Sequence, residues 1–301
     1  MRPGLVPTDV VEAPDKEALV NRNPHRDFPA VEASRPDYDS RVSWTFTKTP
    51  APRWSYGDGA TSTVWQQHAM IEIDPHDVSR QTNLTYKLMI SSTVPRPIAL
   101  VSTTSVAGVH NLAPFSYFQA VCADPPLYSI VFNGEQPNDS LRNVLATKEA
   151  CVSIASDWFI EALNAASSNT PPAISEWPLS GLHPVPGRFV QTPYVAEAAV
   201  SIELRYHSHQ EITGKTGTRT ATMVLLEAIL FHIREDTLSE DRATVDISKL
   251  RPVWRGGGIT YGTCLRGFEL PRPVAFRNLR AMAEVQKLLD KAEEGKALRV
   301  D

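Results

Sequence analysis

Two neighbouring segments decide the fold: VPRPIALVST at residues 94–103 and NLAPFSYF at residues 111–118. The run from Ile98 to Thr104 is rich in residues that favour strands, and Val106-Ala107-Gly108 supplies a turn directly after it. Val109 to Leu112 then returns as the next strand. The sequence therefore predicts a hairpin of two antiparallel strands at the start of the globular body.

The chain beyond this hairpin alternates further strands with a few helices. Without a regular strand–helix–strand order, this pattern favours an α+β fold that is mainly β, a closed or split barrel rather than a Rossmann sheet. The elements predicted from hydrophobic patterns and caps are strands at 127–132 and 151–154, a helix from Asn138 or Asp139 to about Lys148 with the apolar stripe Leu141, Val144 and Leu145, and a helix from Ser156 to about Ala166 with the stripe Phe159, Ile160 and Leu163.

The distribution of proline indicates which strands lie inside the sheet, because paired central strands exclude it. The chain has 24 prolines, eight of them in the first 52 residues, yet none lies between Pro193 and Pro252. Because proline is excluded from central strands, this stretch predicts the sheet interior, with strands at 200–204 and 220–233. Residues 167–196 carry six prolines and are predicted to form a long loop, which is a typical place for function.

The two ends of the chain are predicted to be additions to this body. Residues 1–80 have poor periodicity but several aromatic residues, so we expect an arm that docks on the body or on a partner subunit rather than an unfolded leader. Residues from about Phe276 to Leu298 carry one apolar face and predict a C-terminal helix. The predicted organisation is an arm (1–80), a barrel domain (81–270) and a C-terminal helix (271–301).

Composition excludes several classes of function. The formal net charge of −4 argues against nucleic acid as a partner. The longest apolar stretch, Met223–Ile233, is too short to span a membrane and carries Glu227, and the N-terminus lacks the apolar core of a secretory signal. The three cysteines are far apart and odd in number, which indicates reduced thiols in a cytoplasmic protein.

Three further patterns are too weak to carry a function. Gly214-Lys215-Thr216 lacks the earlier glycine of a phosphate-binding loop, and the glycines at 256–258 do not join a strand to a helix. His207 and His209 have no cysteine or carboxylate partners at metal-site spacing. We therefore expect no metal site, and no Ser/His/Asp set is recognisable either.

The hairpin and the first predicted helix together offer parts that suit a flavin mononucleotide (FMN). Ser140 and Arg142 lie in the first turn of a helix, where backbone N–H groups, a hydroxyl and a cation favour a phosphate. Residues 111–116 are small and held by a proline, which lets the backbone approach a flat ring. Taken alone, these residues leave another interpretation open, in which Ser140 only caps the helix and Phe115 and Phe118 only fill the core.

In order along the chain, these segments closely resemble the flavin reductase-like family, whose members bind FMN on a split β-barrel. The resemblance covers about residues 85–265, and the N-terminal arm is similar to extensions in fungal members. Its parts are RPI (96–98), VST (101–103), NLAPFS (111–116), DPP (124–126), DSLRN (139–143), GL (181–182), PVP (184–186) and LRPVWRGG (250–257).

The resemblance implies a Greek-key split barrel and a homodimer with FMN near the subunit interface. Ser140 stands where threonine is expected, and Pro137-Asn138 replaces a lysine that often precedes the aspartate, which shifts the phosphate contact to Arg142 or Arg96. The residues implied at the cofactor are Arg96 near the flavin or its phosphate, Ser102 and Thr103 at the ribityl chain and ring, Asn111, Leu112, Ala113 and Ser116 at the isoalloxazine, and Ser140 with Arg142 or Asn143 at the phosphate.

The function that follows is an FMN-dependent oxidoreductase that passes electrons from NAD(P)H to free flavin, oxygen or a small organic acceptor. The protein supplies binding and orientation, so no catalytic residue is assigned. Asn164, His207 and Tyr261 are candidates for the substrate pocket, although residues of these types are more often structural polar residues. Two alternatives remain: an FMN-bound oxidase or oxygenase for one small metabolite, and a flavin-binding protein without turnover.

Overall fold

The computed structural model describes residues 25–77, 79, 81–171 and 173–294. Its helices are α1 (Phe28–Ala33), α2 (Thr82–Ser92), α3 (Asp139–Thr147), α4 (Ile160–Ala165), α5 (Trp177–Ser180), α6 (Ile247–Leu250), α7 (Phe276–Arg280) and α8 (Ala283–Glu294), with 3₁₀ turns at Val64–Gln67, Asp157–Phe159 and Glu235–Thr237. Its strands are β1 (Thr45–Phe46), β2 (Arg96–Pro97), β3 (Ala99–Thr104), β4 (His110–Phe115), β5 (Phe118–Ala123), β6 (Pro126–Asn133), β7 (Glu149–Ile154), β8 (Pro184–Val185), β9 (Tyr194–Val195), β10 (Val200–Thr213), β11 (Arg219–Ile233), β12 (Val253–Arg255), β13 (Tyr261–Thr263) and β14 (Arg266–Gly267).

The described residues divide into two compact units. The larger unit contains the residues up to Ser43 and those from 81 to Leu265. The smaller unit contains residues from Trp44 to Ser79 and those from Arg266 onward, and within it β1 pairs in parallel with β14. The candidate cofactor residues all lie in the larger unit.

The larger unit is built on a seven-stranded antiparallel sheet in the order β4-β3-β7-β10-β11-β6-β5. The proline-free stretch forms the long hairpin β10–β11 in its interior, as predicted, because every residue there can donate to a neighbouring strand. The fold is therefore α+β and mainly β, as the sequence indicates.

A second, three-stranded sheet of order β13-β12-β2 adjoins the first, because β2 leads directly into β3. In this small sheet Arg255 of β12 lies opposite both Tyr261 of β13 and Arg96 of β2. Gly262 is required in β13, since a Cβ there would come within 2.3 Å of the Trp254 ring. These pairings fix the end of the barrel at which Arg255 and Tyr261 stand.

Helix α3 covers one face of the sheet. Its predicted stripe is confirmed for Leu141 and Val144, which are fully buried against a core that includes Val101 and Phe132. The Asn138 side chain accepts a hydrogen bond from the Leu141 N–H at 2.9 Å and caps the helix. The first turn of α3 is thereby held over the ends of β3 and β4.

A buried carboxylate fixes part of the proline-rich segment. Glu203 on β10 is fully buried and accepts from the backbone N–H groups of Arg188 (2.6 Å) and Phe189 (2.7 Å), and from Val190 at 3.1 Å. The His232 ring lies 2.7 Å from the same carboxylate. Burial alone would raise the pKa of Glu203, but these hydrogen bonds outweigh it and lower the pKa.

The arm contacts the body where the structure describes it. The Tyr38 hydroxyl donates to the Asp157 carboxylate at 2.6 Å, and the Arg251 guanidinium donates to the Val42 carbonyl at 3.0 Å while also pairing with Asp157. These bonds explain how residues near 40 are held, whereas the first 24 residues of the predicted arm lie outside the described part. The boundaries at 80/81 and 270/271 stay predictions.

Several elements differ from the sequence-based expectations. The predicted loop 167–196 contains the short elements α5, β8 and β9, and α2, β5, β12 and β13 were not predicted. The single C-terminal helix is two helices, α7 and α8, separated by a turn in which the Met282 N–H donates to the Leu279 carbonyl. Residues 295–298 of that prediction lie outside the described residues. Among the described helices, none has the length and hydropathy of a membrane span.

Candidate functional site

Four of the residues expected at the cofactor form one buried polar cluster. The Asn111 amide donates to the Ser140 hydroxyl at 2.9 Å, and the Asn143 amide donates to the Thr103 hydroxyl at 3.0 Å. None of the four is more than 9% exposed. The arrangement follows from register, because Thr103 and Asn111 are opposite each other on β3 and β4, directly under the first turn of α3.

A cavity of about 260 Å³ adjoins this cluster. Asn111, Asn143, Arg142 and Asp139 line it, together with residues of the turn between β3 and β4. Arg142 pairs with Asp139 and donates to the Pro137 carbonyl at 2.5 Å, and its side chain is half exposed. This end of β4 therefore offers amides, a guanidinium and the N-terminus of a nine-residue helix, the donor set that an anion needs.

The other end of β4 borders a smaller cavity of about 170 Å³. Its wall is partly apolar, with Pro114 and Phe115 of β4 and Leu163 of α4. Its polar side chains are Ser116, Asn164, Ser167, Arg255 and Tyr261. Two of the three predicted pocket residues thus meet here, and the Tyr261 hydroxyl donates to the side-chain amide oxygen of Asn164 at 2.9 Å.

Four other candidates occupy different surroundings. The hydroxyl of Ser102 lies on the opposite sheet face from Thr103 and donates to the Pro193 carbonyl, and Leu112 is fully buried in the core. Ala113 is half-buried next to Pro114 on β4. His207 is exposed on β10, 3.0 Å from the Ser208 hydroxyl, and lines neither cavity. Their predicted contacts with a ligand stay predictions.

Arg96 holds the backbone around the smaller cavity. It is only 7% exposed, and its guanidinium donates to the carbonyls of Ile90, Thr93 (3.1 Å) and Gly256 (2.7 Å). Its Nε lies 3.4 Å from the Ser116 hydroxyl. Arg96 is therefore placed to position Ser116 and the loop after β12. Its guanidinium also puts a positive charge on the far side of the cavity wall.

Thiol chemistry does not enter this site. Burial raises the pKa of the Cys151 thiol, with Glu203 and Glu149 adding to the shift, and burial also raises the pKa of Cys264. Both thiols stay protonated near neutral pH and are poor nucleophiles. Within the described ranges, no group of three or more His, Cys, Asp and Glu side chains could hold a metal ion.

Comparison with known proteins identifies this arrangement. The family model described as "Flavin reductase like domain" matches residues 91–248, which hold β2 to β11 and the cavity-lining residues other than Arg255 and Tyr261. The chain belongs to the flavin reductase-like family. It is accordingly a flavin-dependent oxidoreductase, and the alternative of a flavin-binding protein without turnover is not favoured.

Solved structures agree with this family. Nitrilotriacetate monooxygenase component B from Bacillus cereus is 30% identical with a TM-score of 0.64, over 67% of this chain and 100% of its own. A 2-nitrobenzoate 2-nitroreductase from Pseudomonas fluorescens is 25% identical with a TM-score of 0.60, over 68% and 97%. A Shewanella frigidimarina protein, described as a flavin reductase with a split barrel domain, is 20% identical with a TM-score of 0.58, over 69% and 100%. At that identity the likeness shows the fold alone, and it confirms the predicted split barrel.

The residues present fit the flavin that this family binds. A flavin nucleotide has an anionic end and a flat, largely apolar end. The cavity at the start of β4 supplies Arg142 and buried amides for the anionic end. The other end of β4, at Ala113 to Ser116 beside the smaller cavity, supplies small residues, a proline and a hydroxyl for the flat end. The two cavities border a strand of six residues, about 17 Å from end to end, so an elongated ligand along β4 would reach from the larger cavity to the edge of the smaller one.

Sequence reasoning missed a buried carboxylate that supports β4. Glu176 is 5% exposed, and it accepts from the Leu112 N–H at 3.0 Å and from the Thr170 hydroxyl. Because β4 is an edge strand, the outward N–H of Leu112 has no strand partner and depends on this side chain. No local sequence pattern around residue 176 predicts a hydrogen bond to a residue as distant as Leu112.

Replacing Glu176 by Gln is expected to lower the free energy of unfolding by about 2 kcal/mol, because a charge-assisted bond to a buried N–H is weakened. Flavin affinity is expected to fall several-fold, since β4 loses its outer support. Urea denaturation and a flavin titration measure the two effects. The matched control is Glu161→Gln, an exposed carboxylate on α4. Equal behaviour of both variants would contradict a positioning role for Glu176.

Proposed function

We propose that this protein is an FMN-dependent reductase that uses NADH or NADPH as electron donor. Its acceptor is free flavin, oxygen or a small organic molecule. A bound flavin would supply the redox chemistry, namely hydride transfer from the nicotinamide and electron transfer to the acceptor. The chain itself supplies binding, orientation and exclusion of water.

One observation carries the proposal: the buried polar cluster and the smaller cavity stand at opposite ends of the same strand. In the proposal, Asn111, Ser140 and Asn143 hold the phosphate end together with Arg142. The backbone near Ala113 and the Ser116 hydroxyl border the ring. We propose FMN rather than a larger flavin nucleotide because its terminal phosphate would lie at the first turn of α3, where the helix N-terminus favours an anion.

A second candidate keeps the flavin bound while the enzyme oxidises or oxygenates one small metabolite. It is favoured by the position of the loop before α5. Glu176 at the end of this loop accepts hydrogen bonds from Thr170 in the loop and from Leu112 on β4, so the loop is held against the strand. Ser167 of the same loop lines the smaller cavity. This candidate shares the cofactor site and differs only in the acceptor.

We further propose a cytoplasmic homodimer. Strand β5 is an edge of the large sheet, and all its residues after Phe118 are exposed in the single chain. Among them Val121 is a large apolar residue that is 53% exposed. An exposed edge of this kind favours pairing with a second copy. The free cysteines Cys122, Cys151 and Cys264 are in keeping with a reducing compartment.

The proposed function is tested with purified protein that is offered FMN and then NADH or NADPH. We expect uptake of one FMN per chain and nucleotide oxidation that rises with added free FMN. Slow oxidation by free flavin, but fast oxidation with one small organic acceptor, would favour the second candidate. A colourless protein that neither retains FMN nor oxidises either nucleotide would contradict the proposal.

A further inference from the structure

The smaller cavity contains an arginine without an acidic partner. Arg255 donates to the Gly258 carbonyl at 2.7 Å, and its guanidinium carbon lies 4.1 Å from the centroid of the Tyr261 ring. Across the described residues, no carboxylate lies within salt-bridge distance of Arg255 or of Arg96 behind it. The cavity lining contains no Asp or Glu. Uncompensated positive charge in a partly desolvated cavity attracts an anion.

The guanidinium is held in a fixed orientation. Arg255 and Tyr261 are direct partners on β12 and β13, so the stacking on the ring follows from strand register. The ring is itself fixed by the bond from its hydroxyl to Asn164. A planar guanidinium held in this way presents its remaining N–H groups as a fork, which matches the two oxygens of a carboxylate.

The size and walls of the cavity limit what this anion can be. At about 170 Å³ it is smaller than the usual ligand pocket of about 300–1,000 Å³, so it suits a small molecule rather than a whole dinucleotide. Ile98, Pro114, Phe115 and Leu163 supply apolar walls next to the polar groups. A flat apolar molecule with one carboxylate would contact the apolar walls and also pair with the Arg255 guanidinium.

We propose that the cavity at the end of β4 is the acceptor site, and that Arg255 selects small planar organic carboxylates there. The inference deepens the proposed function and rests on it for the role of acceptor, because the cavity borders Ser116, where the flavin ring is expected. The binding of a carboxylate by Arg255 does not itself depend on a flavin.

Benzoate and benzamide are suitable probes, because they have the same shape and differ in charge. Calorimetric titration is carried out on the protein with and without FMN, for the wild type and for Arg255→Gln and Arg255→Lys. We expect the wild type to bind benzoate more tightly than benzamide. We expect Arg255→Gln to lose at least about tenfold in benzoate affinity with little change for benzamide, and Arg255→Lys to lose less.

The matched control is Arg234→Gln. The Arg234 guanidinium also lies over an aromatic ring, Trp158 at 5.1 Å, but it is outside the cavity. Unchanged benzoate binding in this variant, together with thermal unfolding of Arg255→Gln close to that of the wild type, supports a local effect. Equal binding of benzoate by wild type and Arg255→Gln, or no binding by the wild type, would overturn the proposal.

The same variants distinguish the other sources of an anion. If Arg255 instead binds a phosphate of the nicotinamide donor, Arg255→Gln raises the KM for NADH or NADPH while benzoate affinity is unchanged, which overturns the proposal. Loss of FMN uptake in Arg255→Gln would assign the residue to the flavin and also overturn it. If the wild type takes up no FMN at all, the proposed function fails, while the benzoate difference on the flavin-free protein still decides the role of Arg255.

Discussion

Replacing Ser140 by Asp is expected to expel FMN from the protein. Ser140 is 2% exposed, lies in the first turn of α3 and accepts from Asn111. A carboxylate there would stand against the proposed position of the phosphate. Two like charges about 4 Å apart at an effective dielectric constant of about 20 repel by about 4 kcal/mol, so we expect affinity to fall by up to roughly a thousandfold. Fluorescence titration with FMN measures this loss.

The control for this prediction is Ser140→Asn, which has the size of Asp without its charge. Both variants disturb the buried bond to Asn111, so only the difference between them reports repulsion of the phosphate. Riboflavin, which has no phosphate, is expected to bind the two variants alike. If the Asp and Asn variants retain FMN equally well, Ser140 is not beside the phosphate.

Replacing Glu203 by Gln is expected to destabilise the fold more than any other single change considered. The fully buried carboxylate accepts from three successive backbone N–H groups at residues 188–190 and pairs with His232. Breaking a buried charged network of this kind costs about 3 kcal/mol or more. Urea denaturation followed by tryptophan fluorescence measures the loss, and proteolysis near Arg188 reports whether the segment is released.

Glu197→Gln is the matched control, because Glu197 pairs with His183 at 2.6 Å on the surface. We expect it to cost less than about 1 kcal/mol. If the Glu203 and Glu197 variants are equally stable, the buried network contributes little.

Glu203 also predicts a dependence of stability on pH. Because folding lowers its pKa, its contribution is complete above the ordinary glutamate range of about 4.3 and is lost as the pH falls through the lower folded value. Wild-type stability is therefore expected to fall more steeply below pH 4 than that of Glu203→Gln, and urea denaturation over this range measures the difference.

The main elements of the barrel are predictable from sequence because their signals are local. The strand at 99–104, the helix at 139–147 and the proline-free hairpin each follow from a hydrophobic period, a cap or the exclusion of proline. Strand β5 was missed because it is an exposed edge, so it lacks the buried alternation that marks a strand. The short strands β12 and β13 are too brief for any periodicity.

The candidate site was only partly predictable, because local sequence signals do not show contacts between distant residues. Thr103, Asn111, Ser140 and Asn143 were named from their segments, and register brings them together. Glu176 bonds to Leu112, and Arg255 lines the same cavity as Asn164. Both pairs are far apart in the sequence, so no local pattern predicts them. His207 was named for its chemistry alone, and the fold leaves it exposed on β10.

The proposed function requires this chain to bind FMN along β4 and to reduce it with a nicotinamide nucleotide. Anaerobic mixing of the FMN-loaded protein with NADH or NADPH, followed through the visible flavin absorbance, tests it most directly. We expect rapid bleaching with at least one nucleotide, faster than for the same concentration of free FMN. Flavin absorbance that persists with both nucleotides, or bleaches no faster than free FMN, would contradict it.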